Sequence, residues 1–253
     1  MDNKMLQGKR IIVTGAAQGI GAVLADGFSK MGARVSLADI ADPSEAVAKI
    51  TDAGGQAIGV TMDVTRLEDN ERMVAETEDA FGGVDGLVCN AALFATLPIQ
   101  MQDEIDPELW DKVMAVNIKG KWLSARAAVP AMERAGGGSI VMIATNRIFH
   151  GFPGMLHYDA SKGGVLAMTR SLIRELGPKN IRVNTIAPGL TLSEGVLARD
   201  GILDRKDSIA ASRAIARDQL PEDLVGPTGF FLSDHAGFVT GQSLGVDGGG
   251  VIH

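Results

Sequence analysis

The chain of 253 residues has little of several things. Its one cysteine, Cys89, excludes an internal disulfide and suits a reducing compartment, so a cytoplasmic protein is expected. Phe, Trp and Tyr together make up only 4% of the chain, so its core must be built from Ala, Val, Ile and Leu. No run reaches the roughly 18 apolar residues of a membrane span, so no membrane partner is expected. The first residues, MDNKMLQGKRIIVTG, place basic residues before an apolar run, but glycines and Asp26 follow, and the run reads as a first strand and turn. Basic excess is absent as well: the net charge is −7, without a basic stripe, which argues against a nucleic-acid partner. Metal-ligand spacing is missing. There is a single tyrosine, Tyr158, and Lys162 stands four residues after it.

What is present is an alternation. Short aliphatic runs at Arg10–Val13, Arg34–Ala38, Gln56–Val60, Gly86–Cys89, Ser139–Ile143, Arg182–Ile186 and Ser243–Val246 read as strands. Amphipathic patterns over 19–31, 44–53, 67–81, 107–134, 158–176 and 222–232 read as helices between them. This order predicts an α/β fold, a doubly wound parallel sheet with helices on both faces, in one domain over 1–253. Residues 188–220 are too long for an ordinary connection and are expected to form a mobile substrate lid with one or two short helices.

The first strand runs into TGAAQGIGAVL, with Gly15, Gly19 and Gly21 at the strand-to-helix turn. Glycines there let the backbone approach a pyrophosphate, to which the helix N-terminus offers free N–H groups; Gln18 and Ile20 lie in the same turn. A tight packing turn is the bland alternative. Asp39 ends the second strand, 18 residues beyond Gly21, where a carboxylate is expected to accept from the adenosine ribose rather than serve only as a loop or cap residue. A 2′-phosphate beside it would meet a repulsion of roughly 1–4 kcal/mol at about 4 Å. No basic residue adjoins it in sequence, which points to NAD rather than NADP.

TGAAQGIG, Asp63-Val64, Cys89-Asn90-Ala91-Ala92, Asn117, Tyr158-x-x-x-Lys162, Pro188-Gly189 and TGQSLGVDGG follow one another in this order. The ordered set resembles the single-domain short-chain dehydrogenase/reductase family over essentially the whole chain. That resemblance implies a seven-stranded Rossmann-type sheet, a nicotinamide cofactor and a homotetramer built through the two long helices. It assigns Asp63 and Val64 to the adenine pocket, Asn90 and Ala91 to the strand end beside the cofactor ribose, and Pro188 and Gly189 to the nicotinamide side. It makes Thr145, Tyr158, Lys162 and Asn117 the catalytic set, with Asn117 holding a relay water and Lys162 also holding the ribose. Three departures stand out. Thr145 replaces the usual serine, CNAA replaces N-N-A-G and puts local backbone geometry in doubt, and Ser193 replaces a threonine.

A phenol with a pKa of about 10 is a poor base at neutral pH, and the lysine one turn away is expected to draw it down. In the expected reaction Thr145 holds the substrate oxygen and Tyr158 moves its proton. Substrate contacts are expected from Arg147, Phe149, His150, His157, Leu190 and Ser193. A surface salt bridge or a subunit contact is an equal reading for Arg147, and a polar pocket-rim or interface position is the favoured reading for His150 and His157 over a catalytic one. IATNRIFHGFPGM, PGLTLSEGV and VDGGGVIH resemble NAD-dependent pyridoxal 4-dehydrogenases and secondary aryl-alcohol dehydrogenases, which implies a small secondary, cyclic or aromatic alcohol, with His253 near a neighbouring subunit's site. The alternatives are an NADPH-dependent carbonyl or 3-oxoacyl reductase, and a nucleotide-sensing protein without turnover.

Overall fold

A computed structural model describes residues 4–199 and 202–252. Asp200 and Gly201 of the expected lid and His253 lie outside the described residues.

The aliphatic runs form seven parallel strands: β1 Arg10–Thr14, β2 Arg34–Asp39, β3 Gln56–Thr61, β4 Gly86–Cys89, β5 Gly138–Ile143, β6 Ile181–Pro188 and β7 Ser243–Val246. Their order across the sheet is β3-β2-β1-β4-β5-β6-β7. Strand side chains alternate between faces, and the core divides accordingly. Ile12, Leu87, Cys89, Ile140, Met142 and Val183 point to one side. There they meet α3 (Leu67–Phe81), α5 (Lys121–Arg134) and α7 (Leu156–Leu176). Ile11, Val13, Val35, Leu37, Val88 and Val141 point to the other. They pack on α1 (Gly19–Lys30), α2 (Ser44–Asp52) and α10 (Val225–Leu232). Burial on both faces explains why the strands read as unbroken aliphatic runs.

The direction of winding reverses between β1 and β4, so their carboxyl ends open a crevice, the place where such sheets receive ligands. The glycine turn leaves β1 on one side of it, and Asn90 leaves β4 on the other.

Two regions depart from the sequence expectation and a third agrees with it. The predicted helix over 107–134 is broken into α4 (Pro107–Met114), a π-helical stretch Ala115–Gly120 and α5. A π-turn inside an α-helix commonly marks a functional position, and Asn117 sits in this one. A short helix that periodicity did not reveal, α6 (Arg147–His150), follows β5 and closes on Gly151 at φ +68°. Residues 188–220 contain α8 (Glu194–Leu197) and α9 (Ile202–Ala211), matching the expected one or two short helices. Among the described residues, no helix is long and apolar enough to cross a membrane.

Candidate functional site

The glycine turn is built by close approach. A Cβ on Gly15 would stand 2.7 Å from the Ala91 Cα, and one on Gly21 would overlap the Gly15 carbonyl oxygen. Gly15 and Gly19 have φ of +67° and +59°, a backbone region that costs other L-residues energy. Gln18, exposed, is the N-cap of α1, yet its side chain caps nothing, and the first turn carries no acidic residue. The helix therefore presents unmet N–H groups over a cradle with no room for side chains. That arrangement fits a dinucleotide pyrophosphate. Ile20 packs back onto the core beneath.

Two polar side chains brace this cradle. Asp39 accepts from the Ala17 N–H at 2.9 Å through one carboxylate oxygen and from the Ala41 N–H at 3.0 Å through the other. Each oxygen keeps a second lone pair. Asn90 donates to the carbonyls of Thr14 (3.1 Å) and Gly15 (2.9 Å), tying the end of β4 to the end of β1. The CNAA departure leaves no backbone strain: among the described residues Asn180 is the only non-glycine with positive φ. Asp63 closes its own turn through Thr65 at 2.8 Å. Val64 is buried against Gly120, where a Cβ would come within 2.7 Å of it.

On the other side of the crevice Tyr158 and Lys162 lie one turn apart on α7, both buried. The lysine nitrogen is 5.5 Å from the tyrosine ring centre and donates to the Ile143 carbonyl at 2.9 Å. Thr145 lies just past β5, and its side chain draws the pKa of the phenol down. Its hydroxyl also accepts from the Arg147 N–H at 3.3 Å and lies 3.5 Å from the Pro188 carbonyl. Asn117 spends both amide hydrogens, on the Leu93 carbonyl (3.2 Å) and the Ser161 hydroxyl (3.0 Å), and accepts from the Leu93 N–H at 2.8 Å. Its side chain thus clamps the loop after β4 to α7. Pro188 accepts from the Asn146 N–H, and the Gly189 N–H donates to Val246.

The electrostatics correct one expectation. Burial, the largest effect, pushes the phenol of Tyr158 well above its ordinary pKa; the Thr145 hydrogen bond, Arg147 and Arg199 pull it back, and Asp159 adds to the rise. Burial likewise holds Lys162 well below its usual range, and a second buried cation, Lys121, adds to that effect. Desolvation disfavours the charged form of each partner, so Lys162 alone does not make a phenolate here. Burial favours the protonated phenol.

The expected substrate residues do not all converge. Arg147 pairs with Asp159 at 2.8 Å and donates to the carbonyls of Phe152 and Pro153, both at 2.8 Å, so most of its fork is engaged within the protein. Exposed His150 stacks on Phe152 with ring centres 4.6 Å apart. Phe149 lines a separate cavity of about 210 Å³ with Leu166, Thr169 and Thr185. Thr169 lies about three helical turns from Tyr158 along α7. His157 is fully buried, and neither ring nitrogen has a partner. The Leu190 carbonyl accepts from Arg213 at 2.8 Å. Ser193 lies over the glycine turn, its Cβ 3.7 Å from where a Cβ on Gly19 would stand.

Sequence reasoning missed two residues. Lys121 is buried and donates to the carbonyls of Cys89 and, at 3.1 Å, of Ala91, the two peptides flanking Asn90. Desolvation lowers its pKa to about 8. It stands four residues after Asn117, so a lysine on the same helical face as a predicted site residue was the available signal. The other is Arg199, which reaches from the segment after α8 to the Phe94 and Leu97 carbonyls at 3.1 and 3.0 Å.

A family model described as enoyl-(acyl carrier protein) reductase matches residues 15–250. The dehydrogenase/reductase SDR family member 4 of Sus scrofa is 37% identical over 97% of this chain and 88% of its own length. The chain belongs to the short-chain dehydrogenase/reductase family. An uncharacterized oxidoreductase of Thermotoga maritima is 36% identical over 96% of this chain and 97% of its own. A solved structure from Sinorhizobium meliloti, described as a short-chain alcohol dehydrogenase, superposes with a TM-score of 0.88 at 32% identity, covering 96% of both chains. As a short-chain dehydrogenase/reductase the protein is an oxidoreductase, and the glycine cradle, Asp39 and Asn90 are the residues that would hold its nicotinamide cofactor.

Proposed function

We propose that this protein is an NAD-dependent dehydrogenase/reductase acting on a small secondary, cyclic or aromatic alcohol or the corresponding carbonyl, with Tyr158 as acid/base. The observation that carries the reading is the buried Tyr158–Lys162 pair on α7, with the Thr145 hydroxyl at the end of β5 acting on the phenol, across the crevice from the glycine cradle. A nicotinamide bound in that crevice would supply or accept the hydride. Thr145 holds the substrate oxygen beside the phenol. In reduction the protonated Tyr158 gives its proton to the nascent alkoxide oxygen, the direction for which a raised phenol pKa is suited. In oxidation Tyr158 first gives its proton to solvent and then, as phenolate, takes one from the substrate hydroxyl. Lys162 and the Asn117 clamp keep α7, the π-turn and the loop after β4 in register. The exclusion of water by Phe94 and Leu97 keeps the proton between these groups.

The choice of NAD rests on Asp39, whose carboxylate is held at the end of β2 by two backbone N–H groups and would repel a 2′-phosphate. We further infer a homotetramer through the long helices, where Trp122 of α5 and Leu156 of α7 are exposed.

The description of the matching family model favours one second reading, a reductase of carrier-bound acyl chains. One experiment separates the two. Reduced-nicotinamide absorbance is followed with NAD and, separately, NADP over a panel of secondary, cyclic and aromatic alcohols, and with an acyl-thioester ketone in reverse. NAD-linked turnover of an alcohol class supports the proposal. Turnover only with NADPH and the thioester replaces it. Nucleotide binding by calorimetry without turnover on either arm would favour the sensing alternative.

A further inference from the structure

Lys121 opens α5, directly after the π-helical stretch, and its side chain is buried. Its ammonium donates to the carbonyls of Cys89 and, at 3.1 Å, of Ala91. In return the Cys89 thiol points to the Lys121 carbonyl at 3.7 Å. Among the described residues no carboxylate pairs with this cation. Burying an ammonium without a counter-ion is costly, and a methionine would fill similar space without that cost. The two carbonyls are what the charge serves.

Those carbonyls flank Asn90, whose own donors are all engaged. The Asn90 N–H donates to the Val88 carbonyl at 3.0 Å, closing a three-residue turn on Cys89 at the end of β4. It also donates to the Thr14 hydroxyl at 3.1 Å, as does the Ala91 N–H at 3.3 Å. The amide hydrogens of the Asn90 side chain go to the Thr14 and Gly15 carbonyls. Two acceptors are left over: the Asn90 carbonyl and its Oδ1 take no hydrogen bond from any described residue. Asn90 is partly exposed, at the end of β4 beside the end of β1. Left free to turn, the Cys89 and Ala91 carbonyls would compete with these acceptors for the crevice; Lys121 holds both toward α5. The Ala91 peptide also backs the glycine cradle, since a Cβ on Gly15 would meet the Ala91 nitrogen at 3.0 Å.

The strand order β2-β1-β4 puts Asp39 on one flank of the glycine turn and Asn90 on the other. An adenosine ribose over the end of β1 would meet an acceptor on each side, its 2′-hydroxyl toward Asp39 and its 3′-hydroxyl toward Asn90. We propose that Lys121 is a positioning residue for the cofactor: by fixing the turn at the end of β4, it makes Asn90 the acceptor of the adenosine 3′-hydroxyl. The lysine acts through the two peptides that it holds, and not by touching the ribose or the substrate.

This inference rests on the reading of the crevice as a nicotinamide-dinucleotide site, and its test needs no turnover. NAD and NADP both carry the adenosine 3′-hydroxyl, so the choice between them does not enter. Calorimetry gives Kd for NAD and for its 3′-deoxyadenosine analogue, with the full-length wild type and with Lys121→Met. The wild type should bind NAD about five- to tenfold more tightly than the analogue, the loss of one hydrogen bond. Lys121→Met should erase that preference and bind the two within about twofold of each other, while its affinity for the analogue stays within about threefold of wild type. A variant that weakens both ligands alike and keeps the preference would make Lys121 a packing residue only. An unchanged Kd for NAD in the variant, or a wild type that does not distinguish the two ligands, would also overturn the proposal. If Lys121→Met does not fold, Lys121→Gln takes its place with the same expected loss of preference. Binding of neither NAD nor NADP by the wild type would remove the reading of the crevice itself, and the role of Lys121 with it.

Discussion

The two walls of the crevice are made by different means. On the nucleotide side the parts are backbone: a glycine turn with no room for Cβ atoms, a bare helix end, and strand ends laced together by Asp39 and Asn90. On the catalytic side the parts are side chains from five separate segments, buried together around Tyr158. A site made of backbone depends on which residues are small enough, a property local in sequence. A site made of buried side chains depends on which charges are desolvated beside which others, a property of the assembled protein.

The largest effect should come from the catalytic wall. Tyr158→Phe keeps the ring that packs on Phe94 and removes the proton, so turnover should fall at least about 10²–10⁴-fold while calorimetric NAD affinity stays near wild type. An equal loss of both would erase the distinction between the walls. Next comes Asp39→Ala on the nucleotide wall. It should narrow the NAD/NADP ratio of kcat/KM by the equivalent of roughly 1–4 kcal/mol, about 5-fold or more. An unchanged ratio would remove Asp39 as the discriminator.

Lys121 joins the walls, since it holds the peptides flanking Asn90 from beside Lys162. Its folded pKa of about 8 lies below its ordinary 10.5, so the unfolded chain binds the extra proton between these values. Stability from this group is therefore lowest below pH 8 and rises as pH increases toward 10.5. The full span is about 3 kcal/mol. Urea midpoints of wild type and Lys121→Met across this window should differ in slope, the variant lacking the rise. Parallel curves would show that the ammonium is not buried as a charge. The smallest change is expected in Thr145→Ser. Thr145→Ser keeps the hydroxyl and should hold kcat/KM within about tenfold, whereas Thr145→Val, which loses it, should cost about 10²-fold.

Much of this could be read before folding. Burial on both faces made the five inner strands aliphatic runs, the exposed edge strands β3 and β7 followed from the alternation, and all seven were found, with ends shifted by only a residue or two. Gly15, Gly19, Gly21 and Asp39 stand at strand ends that periodicity locates, whereas Asn90 was reached only through the family resemblance. The π-turn at Ala115–Gly120 was not visible, because it keeps the apolar pattern of an α-helix and differs only in hydrogen-bond register. Helix α6 spans one turn and has no amphipathic period to detect. For Arg147 the sequence left a substrate clamp and a salt bridge open; only the folded chain sets Asp159 and two carbonyls around it.

The sequence by itself determined the parallel αβ alternation, the nucleotide turn and the spacing of Tyr158 and Lys162, because each follows from steric size, polarity and period along the chain. Tertiary structure alone decided how deeply that pair is buried. Burial at 6% and 2% exposure drives both groups toward their neutral forms. The cations that oppose this at the phenol, Arg147 and Arg199, arrive from distant points in the chain. Charge–charge energies depend on distance and on the water excluded between groups, and neither quantity exists until the segments are packed.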